Sequence, residues 1–382
     1  MFSSAGKTVL AGEWGGDTVA WSLASGREVM RLSRTMPLSI NPAGTLVATS
    51  EGVVKIPSGE FAIERPRTSL YCETGPFSRD GSAVALPGRH NPDPNSPRQP
   101  NDWHSFMDVF NVGTGQFVAR LAHGPHPIVS AQFTHDLRAF VTADGNSDAI
   151  VWELSTGRQE FKLPHAEGAW WIYVEPNGSR MMTVEPRTAS AHLWNLLDQT
   201  NIRSFLHAQP DIPYDPAVWA SDVSRDFKLL ATAGYDQTVR IWNIDSGTEV
   251  SRCTHQSMYI DNVVFSPDGQ LIATSARDET RDAGGKTWDT IRLFDASNGT
   301  ELETMLFSTV KDLRFDSEGT CIAATGLDTE YVPNGSGEDP LPCAAVWLLS
   351  SGESTKRIAP PDSNKLEYEY DESSDRWTHK SC

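Results

Sequence analysis

The sequence predicts an all-β chain assembled from one four-stranded antiparallel unit used repeatedly, and three observations carry that expectation. The first is residues 229–250, LLATAGYDQTVRIWNIDSGTEV. Apolar, β-rich runs at 229–233 and 239–243 flank Tyr235, Asp236 and Gln237, and Asp245-Ser246-Gly247 marks the next turn. The second is that weaker copies recur, each with a bulky apolar residue five positions before a turn glycine: Trp21, Val54, Phe110, Trp152, Trp194, Trp242, Phe294 and Trp347, with Gln199 replacing the glycine in the fifth. The third is an upstream apolar residue leading into a tight turn, as in FSSAG at Phe2, INPAG at Ile40, FSRDG at Phe77, FSPDG at Phe265 and FDSEG at Phe315. The slot residues follow one another at 33, 56, 42, 42, 48, 52 and 53 positions. These intervals straddle the roughly 40–45 residues that four strands of one propeller blade occupy.

At this point the chain resembles the WD-repeat (WD40) family of β-propellers over residues 1–360, as a degenerate member. The copy at 223–247 matches best, with Asp236 six residues before Trp242 in a DxTVRIW-like pattern. Elsewhere the aspartate slides, to Asp17 and Asp148 four before the tryptophan, or to Asp289 five before Phe294. The resemblance implies a buried Asp-His-Ser/Thr-Trp hydrogen-bond network. In the best copy its members would be Thr232, Asp236 and Trp242 without a histidine. His165 has the expected spacing in its own repeat, whereas His123 and His255 are one residue out of register. No repeat is expected to complete the network.

Eight slots predict eight blades, with a seven-bladed ring as the alternative. The first repeat begins near the end of its innermost strand. In the eight-bladed reading, residues 365–370 of the acidic tail (361–382) alternate like a strand and could close the ring there. In the other, the chain is the end of a longer protein, such as the sensor domain of a signalling protein.

Insertions locate a face. From turn marker to slot the repeats span 19, 14, 33, 19, 20, 19, 29 and 32 residues. The growth in repeats three, seven and eight falls between the second and third strands, at 88–104, 277–288 and 327–342, rich in Pro, Gly, Asn and charge. A further excess, 207–216, falls between the fourth strand of one repeat and the first of the next. In an antiparallel blade both connections emerge at the same end. Trp14, Trp103, Trp170, Trp219, Tyr235, Tyr259, Trp288 and Tyr331 sit at that end, and Tyr and Trp are favoured interface anchors. They are the candidate partner-binding residues.

Composition narrows the function. With 32 basic against 50 acidic residues the net charge is −18, a surface that repels phosphate backbones and anionic lipid. Neither nucleic acid nor membrane is expected as a partner. Five scattered cysteines form no CxxC pair and suit a reducing, cytoplasmic compartment. No nucleophile elbow, phosphate loop, HExxH or Rossmann glycine pattern is present. His123 with His126, and His90 with His104, lack a third ligand, so no metal or cofactor is expected. The expected function is a non-catalytic scaffold, monomeric or within a larger complex, that holds a protein or peptide partner on the loop-rich face. The alternative is a metal-dependent hydrolase or lactonase working in the central channel, for which the first strands offer Asp222, Asn262 and Asp312.

Overall fold

The structure, a computed structural model, describes residues 3, 7–12, 17–22, 25, 27–33, 35, 37–49, 51–64, 76–90, 104–146, 148–207, 218–257, 259–277, 289–307, 309–328, 341–349, 357–358, 367–371 and 376–380. Among the described residues there is no helix, and eight antiparallel sheets follow one another along the chain as propeller blades. Blade one is three-stranded, Thr8–Gly12, Thr18–Ser22 and Glu28–Leu32. Blade two runs from Pro37–Ile40 to Phe61–Glu64. Blade three comprises Ala83–His90, His104–Asn111 and Phe117–Gly124, with Phe77 bridged to Val84 at its inner edge. Blade four runs from Ser130–Phe133 to Arg158–Leu163, and blade five from Trp171–Val174 to Thr200–Leu206. Blade six is Val218–Val223, Leu229–Gly234, Thr238–Asn243 and Glu249–Thr254. Blade seven is Ile260–Phe265, Leu271–Ala276, Asp289–Asp295 and Glu301–Phe307. Blade eight begins with Val310–Phe315 and Cys321–Asp328 and continues with Leu341–Leu348 and Arg357–Ile358.

A single blade leaves its apolar faces exposed, so stability has to come from stacking blades radially. The core accordingly divides into eight clusters, each spanning one interface between neighbours. The slot residue of each repeat packs backwards onto the preceding blade. Trp242 joins Phe205 of blade five, and Trp347 joins Phe307 of blade seven, both edge to face. Trp21, fully buried, packs against Ala323 of blade eight, which makes blade eight the neighbour of blade one and sets the ring at eight.

The seam is held by this packing. Within the stretch offered as a closing strand, Glu367–Asp371 instead pairs with Arg376–Lys380 in a separate hairpin, and among the described residues blade one has three strands. The seam's network is thinner too. Ala11 stands where blade six has Thr232, and the buried Trp21 indole N–H has no hydrogen-bond partner among the described residues.

First strands of successive blades run side by side around the channel and are tied laterally. Val174 N donates to Gln132 Oε1 (2.9 Å), Tyr173 Oη to Ser221 O (2.6 Å), and Phe265 N to Asp222 Oδ2 (2.8 Å). These bonds use side chains of one blade to satisfy backbone of the next, and so fix the blade-to-blade register on which any shared surface depends.

Candidate functional site

Blade six carries a four-member hydrogen-bond framework beneath the loop-rich face. Trp242 Nε1 donates to Thr232 Oγ1 (3.0 Å), which meets His207 Nδ1 at 2.7 Å, while His207 Nε2 meets Asp236 Oδ1 at 3.1 Å. All donors are used when Thr232 donates to Nδ1 and the ring carries its proton on Nε2. Asp236 also receives Thr238 Oγ1 (2.7 Å) and Arg240 Nη2 (2.9 Å). Burial by itself would raise the Asp236 carboxyl, but the bonds from His207, Thr238 and Arg240 hold it well below the usual carboxylate range. Burial pushes the His207 imidazole below its ordinary value.

This corrects the expectation that no repeat completes the network: His207 is its fourth member. Spacing missed it because the connection 208–217 intervenes before Val218, so His207 stands eleven positions ahead of its strand where His165 stands six ahead of Trp171. The usable signal was Gly234 at the end of the second strand. A Cβ on Gly234 would lie 2.6 Å from His207 Nε2, so this strand end is built around an imidazole.

Three more blades carry all or part of the network. In blade four, Trp152 Nε1 donates to Thr142 Oγ1 (2.8 Å), His123 Nδ1 meets Thr142 Oγ1 at 2.7 Å, and His123 Nε2 lies 3.1 Å from Asp144 Oδ2 as an ionic contact. The acid here is Asp144; Asp148 instead accepts the His165 backbone N–H (3.2 Å). In blade five, Trp194 Nε1 and His165 Nε2 meet Thr183 Oγ1 at 2.9 and 2.7 Å, and the buried Glu185 pairs with His192 (3.2 Å). Blade seven keeps Thr274 and His255, 3.1 Å apart, with Phe294 against the imidazole.

Above this framework lies the aromatic rim. Pairing between the first two strands of blade six slips between Val218 and Ala220, leaving Trp219 out of the ladder, and the bulge turns its ring outward to 43% exposure. Tyr235 follows Gly234 at the turn between the second and third strands. Tyr259, just before blade seven, is 46% exposed. The three meet in a row: Trp219 and Tyr235 have ring centroids 5.2 Å apart, and Tyr235 and Tyr259 5.9 Å. Trp170 sits at the matching place of blade five, 39% exposed, its Nε1 donating to Gly145 O (3.2 Å). Trp14, Trp103, Trp288 and Tyr331 lie outside the described residues. Beside Tyr259, Arg277 Nε pairs with Asp261 Oδ2 at 2.7 Å.

The channel candidates have protein partners. Asp222 holds the Phe265 N–H, Asn262 Nδ2 donates to Ser275 Oγ (2.8 Å), and Asp312 pairs with Arg314 (3.2 Å). Burial pushes Asp222 up to about 6, against the pull of the Phe265 N–H and Arg314. Among the described residues no group of three or more His, Cys, Asp or Glu is placed to hold a metal.

The family model described as "WD domain, G-beta repeat" matches residues 212–243 and 247–280, the blades that carry the rim. The chain carries WD repeats in these two blades of its eight-bladed propeller. It is similar to Protein FIZZY-RELATED 3 of Arabidopsis thaliana, 25% identical over 168 residues, which is 43% of this chain and 34% of that protein. It is also similar to Autophagy-related protein 16 of the same plant, 23% identical over 247 residues, 64% of this chain and 44% of that one. WD repeat and SOCS box-containing protein 1 of Mus musculus is 27% identical over 118 residues, 31% of this propeller and 27% of that protein. The aligned part of the propeller thus spans less than half the length of each of these curated relatives.

Proposed function

We propose that this WD-repeat propeller is a non-catalytic scaffold of the cytoplasm, alone or as a subunit of a larger complex, that holds a protein or peptide partner on its loop-rich face. The observation that carries the reading is the contiguous row Trp219–Tyr235–Tyr259, drawn from two blades, with Trp219 and Tyr259 open to solvent above the Trp242–Thr232–His207–Asp236 network. Large amphipathic rings on a rigid support contribute contact area at little entropic cost. Relatives carrying WD repeats support an interaction role in the coarse sense. The net charge of −18 argues against nucleic acid and anionic membrane as partners. The buried free thiols Cys253 and Cys321, both pushed up by burial, suit a reducing compartment.

The test is affinity capture from native lysate with mass spectrometry. The triple variant Trp219→Ala, Tyr235→Ala, Tyr259→Ala is compared with wild type at matched melting temperature. Loss of the specific partners supports the reading, and an unchanged partner set overturns it.

A further inference from the structure

Resting on that docking reading, we propose that the row takes a cationic side chain, an arginine or lysine projecting from a basic segment of the partner. The ring planes of Trp219 and Tyr259 stand at 73° and 78° to the shared ring of Tyr235, so two flanking rings cross the central one nearly at right angles. Trp219 and Tyr259 remain well exposed, and an indole or phenol face carries the negative side of its quadrupole, which attracts a cation seated over it. An aliphatic stem with a charged head suits such a site, because the stem packs on the rings while the head stays hydrated at the rim.

Charge on the molecule points the same way. Arg277, whose backbone N–H bonds the Tyr259 carbonyl, has its guanidinium held by Asp261, and the Arg240 guanidinium of blade six is held by Asp236, so both cations are paired. The long-range field is that of a chain with net charge −18, which concentrates basic segments near it and weakens with salt. A partner inserting an acidic residue would meet both the ring faces and this field unfavourably.

The inference is tested with random peptides displayed on phage and selected against the intact chain. Clones that fail to bind the variant Trp219→Leu, Tyr259→Leu, which keeps apolar bulk but removes two π faces, are sequenced and synthesised. Lys or Arg is expected in those peptides, and replacing it by Met is expected to weaken binding about tenfold, with weaker binding also at high salt. Peptides that need the rings but keep their affinity with Met overturn the cation assignment and leave the docking surface standing. A selection yielding no peptide whose binding depends on the rings overturns both.

Discussion

Trp242 and Trp219 belong to the same blade and do opposite things. Trp242 is 8% exposed, packs on Phe205 of the preceding blade and donates its indole N–H to Thr232. Trp219 is 43% exposed, stands at a bulge and meets the half-buried ring of Tyr235, which in turn meets the exposed Tyr259. A tryptophan in register with the ladder holds the ring together, whereas one thrown out of register by an extra residue is left facing solvent. Substitutions in the two regions should therefore separate stability from binding.

The largest loss of stability is expected from Trp242→Ala, which empties a core site at the blade five–six interface and costs about 3–5 kcal/mol. Chemical denaturation would register it as a large fall in the unfolding midpoint, and a cost below about 1 kcal/mol would contradict the packing role. Next comes His207→Leu, which leaves Asp236 and Thr232 short of a buried partner and is expected to cost about 1–3 kcal/mol. Gly234→Ala should damage the same network without deleting any member, because its Cβ would collide with the imidazole.

Acidification probes that network in the wild type. The unfolded chain takes up protons on histidine near pH 6.5, whereas His207 and His165 are held below that value by burial. Folding is thus opposed as pH falls through about 6.5. Asp236, held low, contributes stability that is present above about pH 4 and is lost on further acidification. Melting temperature is expected to drop from neutral pH toward about pH 5, with a shallower slope in His207→Leu; a rise on acidification would contradict the assignment.

The smallest change in this series is a gain. Gln199 holds φ at 61° in a turn where the corresponding Gly157 and Gly247 sit at 68° and 76°, so Gln199→Gly should relieve left-handed strain and stabilise by up to about 1 kcal/mol. Thermal unfolding of the single variant checks it.

The repeat was legible because slot residues such as Trp21, Trp152 and Trp347 recur at a spacing that interface packing imposes, and the same period implied eight blades. Trp219, Tyr235 and Tyr259 were legible as aromatics at one end of the molecule, from the order of antiparallel connections. Their convergence was not, since it depends on a bulge and on the lateral position of two blades, neither of which leaves a residue pattern. His207 was hidden for a simpler reason: spacing arguments assume a constant connection, and the long one after it moved the histidine out of register while the chain brought it back in space. The closing strand failed as an expectation because alternation at 365–370 specifies a strand without naming its partner, and Tyr368 and Tyr370 pair within the tail.

The most direct measurement pairs binding with stability for the triple rim variant Trp219→Ala, Tyr235→Ala, Tyr259→Ala. The captured partner, once identified, is titrated against wild type and variant while unfolding is followed on the same samples. Binding should fall at least about a hundredfold, with stability held to within about 1 kcal/mol. Retained affinity at wild-type stability would contradict the account by moving the docking surface away from these rings.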